Sequence, residues 1–283
     1  MFFTDKGKVY RLKGYEIPEF SRQSKGIPIV NLLQVEKDER VNAVIQISRE
    51  ENSKYLLFAT EAGVVKKTLI SEFDNIRNSG KICISLREND KLIGVKKTTG
   101  NDLVLLGSDS GRMVKFNEDE IRVMGRTASG VRGISLDGSK CICSEIVKEE
   151  DTILLVTEKG YGKQTKVSEY RQTRRGSKGV KAMNITEKNG NLVSVKIVHE
   201  GKELVIMTNS GMTMRMPLDQ ISVLGRVTQG LRLINLKDNQ KVSTISLVDK
   251  VEEETSEENI EQSENVAQNE LEVAENIQNT EAE

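Results

Sequence analysis

Short apolar runs of strand length alternate with polar, glycine-containing turns through most of this chain, and no stretch makes a convincing amphipathic helix. The pattern is clearest between residues 103 and 147. Leu103-Val104-Leu105-Leu106 is an apolar run, and Asp109-Ser110-Gly111 is a turn whose glycine can take a positive φ. Arg112-Met113-Val114-Lys115-Phe116 mixes polar and apolar positions as a half-buried strand does. Polar residues 117–120 lead to the loop Gly125-Arg126-Thr127-Ala128-Ser129-Gly130, after which residues 131–136 and 142–147 supply two more strands. The unit therefore holds four short strands.

That unit recurs five times. A first glycine stands at Gly7, Gly63, Gly111, Gly160 and Gly211, spaced 56, 48, 49 and 51 residues apart. Three residues earlier comes a small hydroxyl (Thr4, Thr60, Ser108, Thr157, Thr208). Nine residues later comes an acid or amide followed by a hydrophobe: Glu16-Ile17, Glu72-Phe73, Glu120-Ile121, Glu169-Tyr170 and Gln220-Ile221. A second glycine closes each unit at Gly26, Gly80, Gly130, Gly179 and Gly230. A period near fifty with four strands per unit predicts an all-β, propeller-like disc of five four-stranded blades, in which radial repetition leaves short, protected edges. The expected repeats run at about 1–50, 51–100, 101–149, 150–200 and 201–248. The first opens on Met1-Phe2-Phe3 alone, where the second has five residues from Tyr55 before its threonine, which reads as a truncated front.

Charge divides the chain in two. Residues 249–283 carry thirteen acids against one base, Lys250, leaving 41 bases and 30 acids in residues 1–248, so a net of −12 faces a net of +11. The tail, rich in Glu, Asn, Gln and Ser, is expected to be disordered; by its charge it could compete for the basic surface or be no more than a solubilising or tolerated terminus. With no tryptophan and few aromatics, the cores must rest on Ile, Val, Leu and Met. The three cysteines, Cys83, Cys141 and Cys143, are expected to be reduced and partly buried, as in a cytoplasmic protein. No segment has the length of a membrane span and no signal peptide is visible.

The bases recur with the repeat. Arg22, Arg126, Arg175 and Arg226 precede the second glycine by four residues, with Arg77 displaced by one. Arg132, Lys181 and Arg232 follow it by two, with Lys81 offset. Arg11, Lys67, Lys115 and Arg215 follow the first glycine by four, and Lys163 by three. The fourth repeat adds Arg174 and Lys178 in a flexible cationic loop, and the first adds Lys25. Equivalent positions of radial repeats lie on equivalent surfaces, so these residues predict a basic belt. A curved basic belt fits double-stranded DNA held through its phosphates, with salt-sensitive affinity and no sequence readout. The rival class is a scaffold gripping an acidic protein, against which stands an expected lack of exposed aromatic anchors.

Catalytic chemistry is thin. His199, the single histidine, sits beside Glu200-Gly201 in a turn context, so no histidine-based metal site is expected. Gly125 to Gly130 has P-loop glycine spacing, but Val131-Arg132 follows where Lys-Ser/Thr is required. No cofactor is called for, and an enzyme in a central channel would need convergent polar groups that the sequence does not reveal.

Gly7-Lys8-Val9-Tyr10-Arg11, Gly26-Ile27-Pro28-Ile29-Val30-Asn31-Leu32-Leu33, Glu158-Lys159-Gly160-Tyr161-Gly162-Lys163 and Gly225-Arg226-Val227-Thr228-Gln229-Gly230 resemble the C-terminal domain of bacterial DNA gyrase A. The resemblance covers all five repeats. It implies a β-pinwheel over residues 1–248 whose blades exchange strands, and DNA wrapped on its basic rim to support negative supercoiling by the ATP-hydrolysing parent topoisomerase. The implied partners are the remainder of gyrase A and the gyrase B protein, and the implied location is cytoplasmic, on the nucleoid. The corresponding protein of topoisomerase IV has a similar domain. The first repeat here resembles the family's second blade, so the blade bearing the hallmark Gln-Arg-Arg-Gly-Gly-Lys-Gly box is expected to be missing. Ser21-Arg22-Gln23-Ser24-Lys25-Gly26 and Thr173-Arg174-Arg175-Gly176-Ser177-Lys178-Gly179 are degenerate equivalents of that box. The catalytic-tyrosine region is absent from this sequence, so no cleavage of DNA by this chain is expected.

Overall fold

Each repeat opens on a hairpin whose turn explains two of the sequence markers. The computed structural model describes residues 1–21, 23–48, 52–237 and 239–250; Arg22 and the acidic tail from residue 251, with the disorder expected of it, lie outside the described residues. In the five turns the small hydroxyl accepts the N–H of Lys8, Val64, Arg112, Tyr161 and Met212 at 3.1–3.3 Å, satisfying a donor that the hairpin leaves over. The glycine is needed twice. Gly63 has φ +75°, and a side chain there would come within 2.8 Å of Ile134 in the next repeat.

The first repeat contributes β1 (Phe2–Thr4), β2 (Lys8–Tyr10) and β3 (Val41–Val44). The second contributes β4 (Tyr55–Thr60), β5 (Val64–Leu69), β6 (Lys81–Ile82) and β7 (Leu92–Thr98). The third has β8 (Leu103–Ser108), β9 (Arg112–Asn117), β10 (Val131–Arg132) and β11 (Cys141–Val147). The fourth has β12 (Thr152–Thr157), β13 (Tyr161–Lys166), β14 (Val180–Lys181) and β15 (Leu192–Ile197). The fifth has β16 (Lys202–Thr208), β17 (Thr213–Pro217), β18 (Leu231–Arg232) and β19 (Val242–Asp249).

All pairing within the sheets is antiparallel, but the sheets do not coincide with the repeats. Their strand orders are β3-β1-β2-β6, β10-β5-β4-β7, β11-β8-β9-β14, β15-β12-β13-β18 and β17-β16-β19. The two-residue strands β6, β10, β14 and β18 each leave their own repeat and become the outermost strand of the preceding blade. The all-β disc of blades expected from the sequence is thus what is found, with one difference. Four blades hold four strands and the fifth holds three, because the second to fifth repeats each lend one strand backward and no described repeat follows the fifth. The strands β3, β7, β11 and β15 neighbour one another at the inner end of the array.

Packing follows the same rule. Every apolar cluster joins two consecutive repeats: Phe3 and Val9 with Phe58 and Phe73, then Leu57 and Val65 with Phe116 and Ile121. Leu105 and Met113 meet Leu155 and Tyr170, and Leu154 and Val156 meet Leu204 and Ile221. The hydrophobic marker ten residues after the first glycine is therefore a plug set into the blade before it. Aromatics matter more than their number implied: Phe3, Phe58 and Phe73 stack edgewise or tilted at 5.8–6.4 Å in the first interface. The three thiols are free and buried, and burial pushes Cys83 and Cys141 up to about 12.

Candidate nucleic-acid interface

The outer edge of the array is built from the borrowed strands and the loops that lead into them. In β10, β14 and β18 the base follows the second glycine by two residues and pairs at one register: Arg132 opposite Val64, Lys181 opposite Arg112, and Arg232 opposite Tyr161. Each partner is the residue just after a first glycine, so three consecutive blades present a base at the same place. Arg132, Lys181 and Arg232 are exposed. The first blade departs by one: Lys81 pairs with Val9, and Ile82 takes the position across from Lys8. A one-residue slip reverses the side of the strand, so Lys81 leaves the row.

The loops carry the second row. Arg126, Arg175 and Arg226 are half-buried, and the last two hold backbone as well as facing solvent. Arg175 donates to the carbonyls of Glu120 (2.9 Å) and Arg132 (3.2 Å), and Arg226 to that of Lys181 (2.7 Å). Each therefore ties its loop to the borrowed strand of the preceding repeat. The acidic marker supplies the other half of this tie: Glu120 accepts the N–H of Arg175 at 3.0 Å, and Glu169 that of Arg226 at 2.8 Å. Sequence reasoning noticed these acids without giving them a role, although their recurrence beside the loop was the available signal. Arg112, exposed opposite Lys181 and donating to the Gly179 carbonyl at 3.3 Å, was missed altogether.

Three expected belt residues are corrected. Lys67, Lys115 and Lys163 are buried inside the blades. Lys67 donates to the Glu118 carbonyl at 2.9 Å and lies over the Tyr55 ring; Lys115 pairs with Glu149 at 2.7 Å; Lys163 donates to the carbonyls of Gly225 and Arg226. They lie on interior strands of the sheets, where the neighbouring repeat covers both faces.

Of the remaining predicted residues, Arg11, Lys25, Arg77, Arg174, Lys178 and Arg215 are exposed. Arg11 donates to the Asp74 carbonyl, Arg215 pairs with Glu203, and Lys178 pairs with Asp137 at 2.7 Å. The last pair is solvent-exposed on both sides and screened by water, so a phosphate can compete for that lysine. Arg232 lies against the Tyr161 ring and donates to its hydroxyl at 3.0 Å.

Two further findings differ from expectation. At the inner end, Lys96 pairs with Glu145 at 2.5 Å and Lys196 approaches the same carboxylate at 4.0 Å, beside a cavity of about 270 Å³ lined by β3, β7, β11 and β15. Polar groups do converge there, but as an ion-pair network already satisfied by its own members. On the first repeat, Tyr15 and Phe20 stand exposed, so aromatic side chains are not lacking at the surface.

The repeat geometry matches one family model throughout: the DNA gyrase C-terminal domain, beta-propeller, fits residues 1–48, 54–99, 102–142, 151–199 and 202–249. The chain belongs to the DNA gyrase C-terminal domain family. It is 47% identical over 252 residues to the DNA gyrase A protein of Staphylococcus epidermidis, covering 88% of this chain and 28% of that protein. It is 46% identical over 263 residues to that of Staphylococcus aureus, covering 92% of this chain and 29% of that protein. The chain thus spans under a third of the length of these relatives. Its fold resembles the C-terminal domain of a DNA topoisomerase IV (TM-score 0.80, 24% identity, 88% of this chain and 78% of that one). It also resembles a DNA gyrase A C-terminal domain (TM-score 0.74, 24% identity, 87% and 80%).

Proposed function

We infer that this chain binds double-stranded DNA along the outer edges of its blades, as the C-terminal module of a gyrase A protein. The observation that carries the reading is the shared register of Arg132, Lys181 and Arg232 on three consecutive borrowed strands, the first two of them bound at the carbonyl by the loop arginines Arg175 and Arg226. A stiff duplex can touch such a row in succession. Bending a short duplex costs of order 1–6 kcal/mol, so several phosphate contacts must form together to hold the curve. Strands at a blade edge offer no groove-reading helix, so the contacts are to phosphate and the affinity is indifferent to sequence. In the parent enzyme, with the remainder of gyrase A and the gyrase B protein on the nucleoid, this wrapping supports ATP-dependent negative supercoiling. The chain itself contributes binding and not cleavage.

The test is titration of the chain against two duplexes of unrelated sequence over a range of salt. The expected result is equal affinity for both, falling steeply as salt rises. Affinity that ignores salt, or that favours one duplex strongly, would overturn the reading.

A further inference from the structure

Two cations that the rim does not use are among the largest fully buried side chains of the molecule. Lys66 on β5 and Lys163 on β13 each stand three residues after a first glycine, at equivalent positions of the second and fourth repeats. Their partners are backbone carbonyl oxygens, all from the following repeat except that of Cys83. Lys66 donates to Cys83, to Arg126 at 2.5 Å and to Gly125 at 3.5 Å. Lys163 donates to Gly225 at 2.7 Å and Arg226 at 2.8 Å. Both ammonium groups thus reach the same two residues of the arginine loop, five and four positions before its closing glycine.

We propose that Lys66 and Lys163 are positioning residues for the phosphate-binding loops, buried clamps that draw the loop carbonyls inward and so present the loop's donors to DNA. The proposal rests on the DNA-binding reading and says how two of its loops are aimed. No peptide bond among the described residues is cis, so in each loop the N–H that follows a carbonyl points the opposite way. With the Arg126 and Arg226 carbonyls held on an ammonium, the amides of Thr127 and Val227 are turned away from it, and both residues are exposed. Backbone N–H groups so oriented, beside a guanidinium, suit a phosphate oxygen. In the fifth repeat the grip is two-sided, since Glu169 holds the Arg226 N–H while Lys163 holds its carbonyl. The fourth-repeat loop lacks such a lysine: Val114 occupies the equivalent position, and Glu120 holds Arg175 instead.

Enclosure makes these clamps sensitive to pH. Desolvation pulls both lysines down to about 8. Lys66 faces Arg126, the Cys83 thiol and the Phe58 ring; Lys163 faces Glu169 and Arg226. Burial raises the Cys83 thiol to about 12, so the lysines are the groups that change near pH 8. A neutral amine still donates, but without the charge that strengthens the bond.

The test compares Lys66→Met and Lys163→Met with Arg226→Gln in duplex titrations across salt. Methionine keeps the apolar stem and removes the charge. Each Met variant should bind roughly three- to tenfold more weakly with an unchanged salt slope, whereas Arg226→Gln should flatten the slope by about one. Folded Met variants of unchanged affinity would overturn the clamp, and so would a slope flattened as in Arg226→Gln. If the Met variants do not fold, the wild-type chain decides: its affinity at constant ionic strength should fall as pH rises through about 8, and a flat profile refutes the proposal. Should the wild-type chain show no salt-dependent binding, the functional reading fails separately. The clamp is then judged by amide exchange at Thr127 and Val227, which must quicken in folded Met variants for it to stand.

Discussion

The first repeat and the four after it share one sequence pattern yet differ in what their markers do. Phe73, Ile121, Tyr170 and Ile221 are each at most 3% exposed, set into the blade before them, while the equivalent Ile17 is 46% exposed. Four residues after the second glycine, Ile84, Ile134, Met183 and Ile234 are buried, while Val30 is 56% exposed. A side chain at Gly130 would meet the Val65 carbonyl at 2.5 Å; at Gly26 it would meet nothing within 4 Å. The first glycine of the last repeat, Gly211, is equally open. The lesson is that a repeat of this kind does not close its own core. It lends a strand and a plug to the unit before it and receives both from the unit after, so stability resides in the interfaces.

That contrast can be broken most forcefully at the plug. Phe73→Ala should cost about 3–5 kcal/mol, while Ile17→Ala should cost about 0.5 kcal/mol or less, measured by urea unfolding. Equal losses would mean that Ile17 is covered in solution. A smaller difference is expected at the second glycine. Gly26→Ala pays the positive-φ penalty of about 1–2 kcal/mol, and Gly130→Ala should add about 1–3 kcal/mol for the crowding against Val65.

The contrast between rim and interior lysines sharpens next. Arg132→Gln should lower the salt slope of duplex binding by about one, and Lys115→Gln should leave it unchanged, because Lys115 is buried on Glu149. The smallest effect concerns pH. The unfolded chain keeps its lysine protons to about 10.5, whereas folded Lys66 and Lys163 release theirs near 8. The unfolded state binds more protons across that interval, so these two groups make stability rise with pH from about 8 to 10.5. Cys83 and Cys141 act oppositely, being raised to about 12, and remove stability above about 9. Double replacement of both lysines by Met should therefore make the alkaline decline in melting temperature start earlier.

The repeat length, the strand-turn-strand hairpins and the all-β class were legible in the residues, because hydrophobic alternation and turn glycines act within a few positions of one another. The loop arginines and the bases of β10, β14 and β18 were also legible, since their spacing to the second glycine sets their register. What could not be read was which lysine faces water. Lys67, Lys115 and Lys163 lie in the same half of the repeat as Arg11 and Arg215, and only the neighbouring blade decides that the first three are enclosed. The roles of Glu120 and Glu169 were hidden for the same reason: their partners, Arg175 and Arg226, come from the next repeat, about fifty-five residues away.

The chain order of residues by itself determined five like units, each with its hairpin, its hydrophobic marker and its cationic loop. Only the tertiary structure decided that the third strand of a repeat crosses to the preceding blade, that Lys81 leaves the row of bases, and that a buried ammonium lies beneath two of the loops. Local periodicity specifies a strand and its two faces. What covers each face depends on which other segment arrives, and here that segment always belongs to another repeat.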